Sequence, residues 1–345
     1  MNIKEALHQG TMTLTEAGSE SPRLDAQVLL LAVLNAERTI LIAHPERELA
    51  SQEEQLYDQY ISERALGKPV SYITGRREFM GLEFAVNEAV LIPRPETEVL
   101  VEEALREIED GRWEMGDRSP AGLHSMKTPG VSSRGNARPR VLDLCTGSGA
   151  IAVSIKHFAP EAEVIATDLS EEALEVAREN ARRILGGGRW EMEDGRMGDG
   201  PNGVRFLQGD LFEALNDNDP CHSEGEARRI FSNLQSPISD LFDLIVSNPP
   251  YIPKPDIEGL MRDVKDFEPR MALDGGEDGL DIYRRLIPEA AKRLAPGGVL
   301  ILEIGSDQGE IVPELCRQAG LTEVRVLKDL AGLDRVVRAK RRDEK

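Results

Sequence analysis

The sequence predicts an α/β protein: a doubly wound, mainly parallel, seven-stranded sheet preceded by a small all-helical N-terminal domain. Three features carry that expectation. From Arg140 onward, short apolar runs alternate with helical patterns, as strand–helix–strand units do. Residues 1–75 show helix starts and helical spacing. Between these regions, Leu82, Phe84 and Val86 alternate with Glu83, Ala85 and Asn87, the pattern of a half-buried strand.

The elements follow in order. Ser21-Pro22 supplies an N-cap and a proline at the first helical position, and residues 24–34 are then richly apolar. Ser51-Gln52-Glu53-Glu54 fits a capping box, with Leu56, Tyr60, Ile61 and Ala65 following at helical spacing. The strand over 82–86 is expected to turn at Asn87-Glu88 into Val90-Leu91-Ile92, a hairpin linking the two domains. Pro93-Arg94-Pro95-Glu96-Thr97-Glu98 opens a helix with Leu100, Ala104, Leu105 and Ile108 on one face. Strands are expected at 140–144, 163–167, 204–207, 242–247, 298–304, 322–327 and 333–338, the last two antiparallel. Helices are expected at 150–158, 171–185, 279–295 and 308–319. The domains read as 1–75 helical, 76–93 linker and 94–340 sheet domain. Segments near 111–139, 186–203 and 216–240 are rich in Gly, Ser, Asn, Asp and Pro and read as inserted loops. Arg-Trp-Glu-Met occurs in two of them, at 112–115 and 189–192.

Composition narrows the class. The chain has 345 residues, 40% hydrophobic and 30% charged, as soluble globular proteins do. It carries 42 Lys and Arg against 62 Asp and Glu, a net charge of −20. A chain so acidic is a poor general binder of phosphate backbones. No apolar run approaches the roughly 20 residues that span a bilayer, and the N-terminus lacks a signal-peptide layout. Cys145, Cys221 and Cys316 are scattered, and neither they nor the five histidines have metal-ligand spacing. A cytoplasmic, metal-free monomer is expected.

Two motifs carry chemistry. Residues 141–152, Val-Leu-Asp-Leu-Cys-Thr-Gly-Ser-Gly-Ala-Ile-Ala, form a strand, a Gly-rich turn and a helix start. Gly147 and Gly149 permit positive φ and close ligand approach, and the helix start offers unpaired N–H groups. Asp168, about 20 residues further on at a strand end, can accept both ribose hydroxyls. The glycine pattern alone also fits a dinucleotide enzyme. Asp143 inside the approach to the loop argues against that. It would repel a pyrophosphate, but it could pair with a cationic amino acid moiety. Asp210, after the third strand, can read an adenine edge or cap the helix behind it, with Leu211 packing on the ring.

The second motif is Asn248-Pro249-Pro250-Tyr251, directly after the apolar run 242–247. Two prolines end the strand and stiffen the loop. The Asn248 amide oxygen and outward backbone carbonyls can accept the two N–H bonds of a flat NH2 group while Tyr251 stacks on its plane. A hydride-transfer enzyme has no role for this set.

With these residues in view, the chain resembles the class I S-adenosylmethionine-dependent methyltransferases. Within them it resembles the bacterial peptide chain release factor glutamine N5-methyltransferases. Further segments that carry the likeness are 69–75 with 78–81, 91–98, 268–273, 275–280 and 302–305. The resemblance implies a Rossmann-like methyltransferase sheet, S-adenosylmethionine as cofactor and the glutamine of the release factors' Gly-Gly-Gln motif as substrate. It places the cofactor at Cys145, Thr146, Gly147, Ser148, Gly149, Asp168, Asp210, Leu211 and Asn248. It places the substrate at Asn248, Pro249, Pro250 and Tyr251, with Asn248, Pro249 and Tyr251 as the catalytic set. Family members often have Gly in place of Cys145 and an aromatic in place of Leu211. An adenine N6 methyltransferase on nucleic acid and a non-catalytic cofactor-binding scaffold are the alternatives. Arg94 and Glu96 are expected to cap a helix and pair at the surface. Glu268 and Arg270 are expected to line a peptide channel or form an ion pair.

Overall fold

The computed structural model describes residues 1–111, 138–186, 203–215 and 241–343. The three insert-like segments fall almost wholly outside these residues, as do both Arg-Trp-Glu-Met copies. The N-terminal region is helical: α1 (Ile3–Glu16), α2 (Pro22–Leu34), α3 (Ile40–Ala43), α4 (Ser51–Ala65) and α5 (Val70–Thr74). A reciprocal cap starts α1. Asn2 Oδ1 accepts the Glu5 N–H at 2.9 Å, and Glu5 Oε2 accepts the Asn2 N–H at 3.0 Å. Ile3, Leu14, Leu29, Leu30, Tyr57 and Ile61 fill the core between these helices. Full burial of each such side chain is worth about 1.5–3 kcal/mol.

Two local expectations shift here. Ser21 precedes α2, but its hydroxyl donates to Asp25 Oδ1 at 2.8 Å and leaves the helix N–H groups uncapped. Asp25 draws it away because that buried carboxylate also takes Arg64 Nε at 2.7 Å. The start of α4 lies one residue earlier than expected. Glu53, not Glu54, reaches back to the N–H of Ala50 at 2.8 Å, while Glu54 takes the Met1 ammonium at 3.2 Å.

The hairpin pairs β1 (Arg76–Phe79) with β2 (Leu82–Ala85). Its turn is Met80-Gly81, both at positive φ (53° and 71°), not Asn87-Glu88. Residues 90–92 form no strand because they pack elsewhere. Val86, Val90 and Ile92 join Tyr72 in a seam against Ala173 and Val176, and the Tyr72 hydroxyl donates to the Val90 carbonyl at 2.6 Å.

After a short 3-10 turn (Pro95–Thr97), α6 (Glu98–Gly111) leads into the sheet. The succession is β3 (Arg140–Leu144), α7 (Ala150–Phe158), β4 (Glu163–Asp168), α8 (Glu171–Leu185), β5 (Val204–Gln208) and a 3-10 turn (Leu211–Leu215). Then come β6 (Phe242–Ser247), a 3-10 turn (Lys254–Gly259), α9 (Arg262–Lys265), α10 (Arg270–Leu273) and α11 (Asp281–Arg293). The chain closes with β7 (Leu294–Glu303), α12 (Ile311–Gln318), β8 (Thr322–Lys328) and β9 (Asp334–Lys340). Among the described residues the strand order is β5-β4-β3-β6-β7-β9-β8, parallel except for β9, which runs antiparallel between β7 and β8.

Strand residues alternate between two core layers, as the pleat requires. Val141, Val246 and Ile301 face the layer that holds Leu100, Ala104, Ile155 and Leu174. Leu142, Ile245 and Leu300 face Tyr283, Leu286, Ile287 and Val312. Burial on both faces explains why these strands read as continuous apolar runs. Among the described residues no helix is long and apolar enough to cross a membrane.

One buried amide joins hairpin, helix and Gly-rich loop. Asn180 on α8 is fully buried. Its Oδ1 accepts the Ala85 N–H at 2.7 Å, and its Nδ2 donates to the carbonyls of Ala85 (3.0 Å) and Ser148 (2.9 Å). Asn180→Ala strands an N–H and two carbonyls without partners, so unfolding free energy should fall by at least about 2 kcal/mol in urea titration. An unchanged midpoint and slope would show that this amide joins nothing of consequence.

Candidate active site

The strand order reverses between β3 and β6, the place where open α/β sheets bind ligands beyond their strand ends. Both sequence motifs meet there. Leu144 pairs with Ser247 at the ends of these strands, and the Ser247 hydroxyl donates to the Leu144 carbonyl at 2.7 Å. The Gly-rich loop leaves one strand and Asn248-Pro249-Pro250-Tyr251 leaves the other.

The Gly-rich loop is wound from within. Cys145, Gly147 and Gly149 have φ of 60°, 55° and 78°. A non-glycine residue at positive φ is strained, so Cys145 holds a backbone conformation that glycine adopts more freely. A Cβ on Gly149 would come within 3.0 Å of Ala177 Cβ, whereas one on Gly147 would meet nothing within 4 Å. Gly149 thus serves helix packing, and the space beside Gly147 is open. Beneath the loop, Asp143 Oδ2 accepts the Thr146 hydroxyl at 2.6 Å and the Ala152 N–H at 3.2 Å. Burial pushes its carboxyl up to about 7, against those two bonds, which favour ionisation. Asp143 is wholly inaccessible, so it braces the loop. The contact with a ligand cation expected from sequence is closed to it.

Asp168 ends β4 beside the loop. Its Oδ2 accepts the Gly147 N–H at 2.8 Å and its Oδ1 the Ser170 N–H at 3.0 Å. Burial raises its carboxyl above the usual range, and the backbone N–H groups oppose that rise. The carboxylate and the loop backbone therefore form one unit.

Asp210 does not cap the following turn with its side chain. Its main-chain carbonyl takes the Glu213 N–H at 3.0 Å, and its carboxylate pairs with Arg285 at 2.6 Å. Leu211 sits at φ 51° and is buried in the layer with Leu142 and Leu144.

At the second motif, Asn248 Nδ2 donates to the buried Thr97 hydroxyl at 3.4 Å. Pro249 is buried and Pro250 half-buried. The Tyr251 hydroxyl donates to Glu303 Oε1 at 3.3 Å. Burial beside Glu303 raises the Tyr251 phenol far above its ordinary range. The loop is pinned on its far side. The Ile252 N–H donates to the Leu273 carbonyl and the Gly275 N–H to the Ile252 carbonyl. Gln308 Nε2 donates to the carbonyls of Tyr251 and Gly279, both at 3.1 Å. A Cβ on Gly275 would lie 2.8 Å from Tyr251 Cα, which gives that glycine-rich segment its purpose.

Thr97, Glu303, Arg285 and Gln308 escaped sequence reasoning as site residues. A lone polar residue at the end of an apolar strand, as in Leu302-Glu303-Ile304, was the available signal for Glu303. Arg94 pairs with buried Glu268 at 2.5 Å, not with surface groups, and Glu268 Oε2 also accepts the Ile92 N–H. This ties the linker to the segment before α10. Arg270 pairs with Glu258 at 3.2 Å.

The comparisons agree with this geometry. Residues 5–75 match the family model described as PrmC N-terminal domain, and residues 136–326 match a methyltransferase domain. The chain is 40% identical to the release factor glutamine methyltransferase of Moorella thermoacetica over 100% of both chains. It is 38% identical to that of Clostridium acetobutylicum over 99% of both. The protein of the same name from Bordetella pertussis is 41% identical over 91% of this chain and 93% of its own. With sheet, helical domain and both loop motifs in place, the chain belongs to the release factor glutamine methyltransferase family.

Proposed function

We propose that this enzyme transfers a methyl group from S-adenosylmethionine to the side-chain nitrogen of a glutamine in a peptide chain release factor. The observation that carries the reading is the register of β3 on β6, which sets the cofactor loop beside the Asn248–Tyr251 loop.

The residues fit the cofactor. Gly147 offers an open backbone face, and Asp168 stands within hydrogen-bond distance of that same backbone. In this reading Cys145 to Gly149 line the amino acid end and Asp168 takes the ribose hydroxyls. Asp210 and Leu211 meet the adenine, Leu211 through its backbone because its side chain is buried. Bound S-adenosylmethionine supplies a methyl carbon made electrophilic by the sulfonium and a neutral thioether leaving group.

The chain's own task is to aim a poor nucleophile. An amide nitrogen shares its lone pair with the carbonyl. Asn248 Oδ1 and the Pro249 carbonyl accept its two N–H bonds and turn the nitrogen toward the methyl carbon. Methylation would build positive charge on that nitrogen, which both acceptors would favour, and the nitrogen would then give up one of its two protons to solvent. The prolines hold these acceptors fixed, so little ordering accompanies reaction. Tyr251, anchored through Glu303, stacks on the amide plane.

Radiolabelled methyl transfer, with release factor, duplex DNA or no substrate offered, tests this. Label should enter release factor and vanish when its glutamine is replaced; label on DNA alone overturns the reading. Asn248→Ala should lower transfer by at least about 10²-fold while S-adenosylmethionine still binds. Full activity in that variant would exclude the amide clamp. Asp168→Ala should weaken S-adenosylmethionine binding in calorimetry by about tenfold or more, from loss of charged hydrogen bonds. Unchanged affinity would remove Asp168 from the cofactor site.

A further inference from the structure

The two prolines of Asn248-Pro249-Pro250-Tyr251 stiffen the loop only as far as Pro250. Each proline has its own φ locked, and a residue that precedes proline is confined to extended backbone. Asn248 and Pro249 both precede proline, so residues 248–250 form a rod that leaves the end of β6. Tyr251 precedes Ile252 and escapes that restriction. The rod carries the Asn248 amide and the Pro249 carbonyl, whereas the aromatic ring hangs beyond a joint that the prolines leave free. The angle between ring and rod must be fixed from elsewhere.

Gln308 sits at that joint. It lies between β7 and α12 and is 5% exposed. Its Oε1 accepts the Gly305 N–H at 2.9 Å, which settles which end of the side-chain amide is oxygen. Nε2 therefore faces the carbonyls of Tyr251 and Gly279 and spends one proton on each. The other end of Tyr251 is tied to the same strand terminus, because Glu303, which accepts its hydroxyl, is the last residue of β7. That terminus stands beside the rod, since Ser247 of β6 pairs with Leu302 of β7. Space around the joint is closed as well. A Cβ on Gly279, at φ 75°, would collide with the Tyr251 carbonyl oxygen and lie 3.0 Å from Gln308 Nε2.

We infer that Gln308 is a positioning residue for methyl transfer: its side-chain amide locks the joint between the proline rod and Tyr251, and so sets the ring against the two acceptors that aim the substrate nitrogen. This rests on the roles given to Asn248, Pro249 and Tyr251 above. Gln308 acts through Tyr251, because both of its N–H protons are already held by main-chain carbonyls.

Single-turnover transfer tests this. Enzyme loaded with radiolabelled S-adenosylmethionine is mixed with saturating release factor, and the rate is taken per bound cofactor, so that unfolded molecules do not count. Gln308→Met keeps the length of the side chain and removes its hydrogen bonds. It should lower that rate by about 10²-fold with S-adenosylmethionine affinity unchanged. Gln308→Glu keeps the shape and the bond from Gly305, and it is the gentler variant for folding. It should also be slower than wild type, because even its neutral acid has one proton for two carbonyls. A purely structural role would reduce the number of loaded molecules and leave the rate of each unchanged. That result, or a wild-type rate in either loaded variant, overturns the inference. So does a fall in rate matched by an equal fall in cofactor affinity, which would mark damage to the whole sheet edge. A wild-type rate in Gln308→Met alongside a slow Asn248→Ala overturns this inference alone. An active Asn248→Ala removes the amide clamp itself.

Discussion

The pairing of Leu144 with Ser247 is the constraint on which the rest of the molecule depends. Parallel strands bring their C-terminal ends to one edge, and reversal of strand order opens a crevice there. A slip of one residue would turn every core side chain of β6 to the opposite layer. Val246 and Ile245 face different layers, both closely packed, so such a slip is prohibited by the core itself. The relative placement of the two loops is thus set by hydrophobic packing within the sheet.

Around that edge the protein uses buried carboxyl groups as struts. Asp143 braces one loop and Glu303 anchors the other, and burial raises both to about 7. Low polarity makes each bond to such a group strong and each lost partner costly. The linker is fastened by the same means. Removing Arg94 would leave the buried Glu268 carboxyl without its cationic partner, a costly loss.

Much of this was legible in the chain because the signals are local. Apolar runs of strand length, helical spacing and the two loop motifs each occupy a dozen residues or fewer, and the sheet followed from their alternation. Partners distant in sequence were not legible. Asn248 meets Thr97 across 151 positions, and Ala85 meets Asn180 across 95. No propensity encodes such meetings; the fold creates them. Local errors had local causes. The turn at Met80-Gly81 went unread because methionine seldom takes positive φ. The cap of α4 was placed one residue late because Ser51 resembles a cap better than Ala50 does.

Asn180 carries a consequence of its own. One side chain closes the hairpin that follows the helical domain and holds the carbonyl of Ser148 in the Gly-rich loop. Fraying of the hairpin would therefore free the same amide that holds the Gly-rich loop, which would couple the opening of the two regions. A ligand that stiffened the Gly-rich loop would then slow amide exchange at Ala85 in the hairpin.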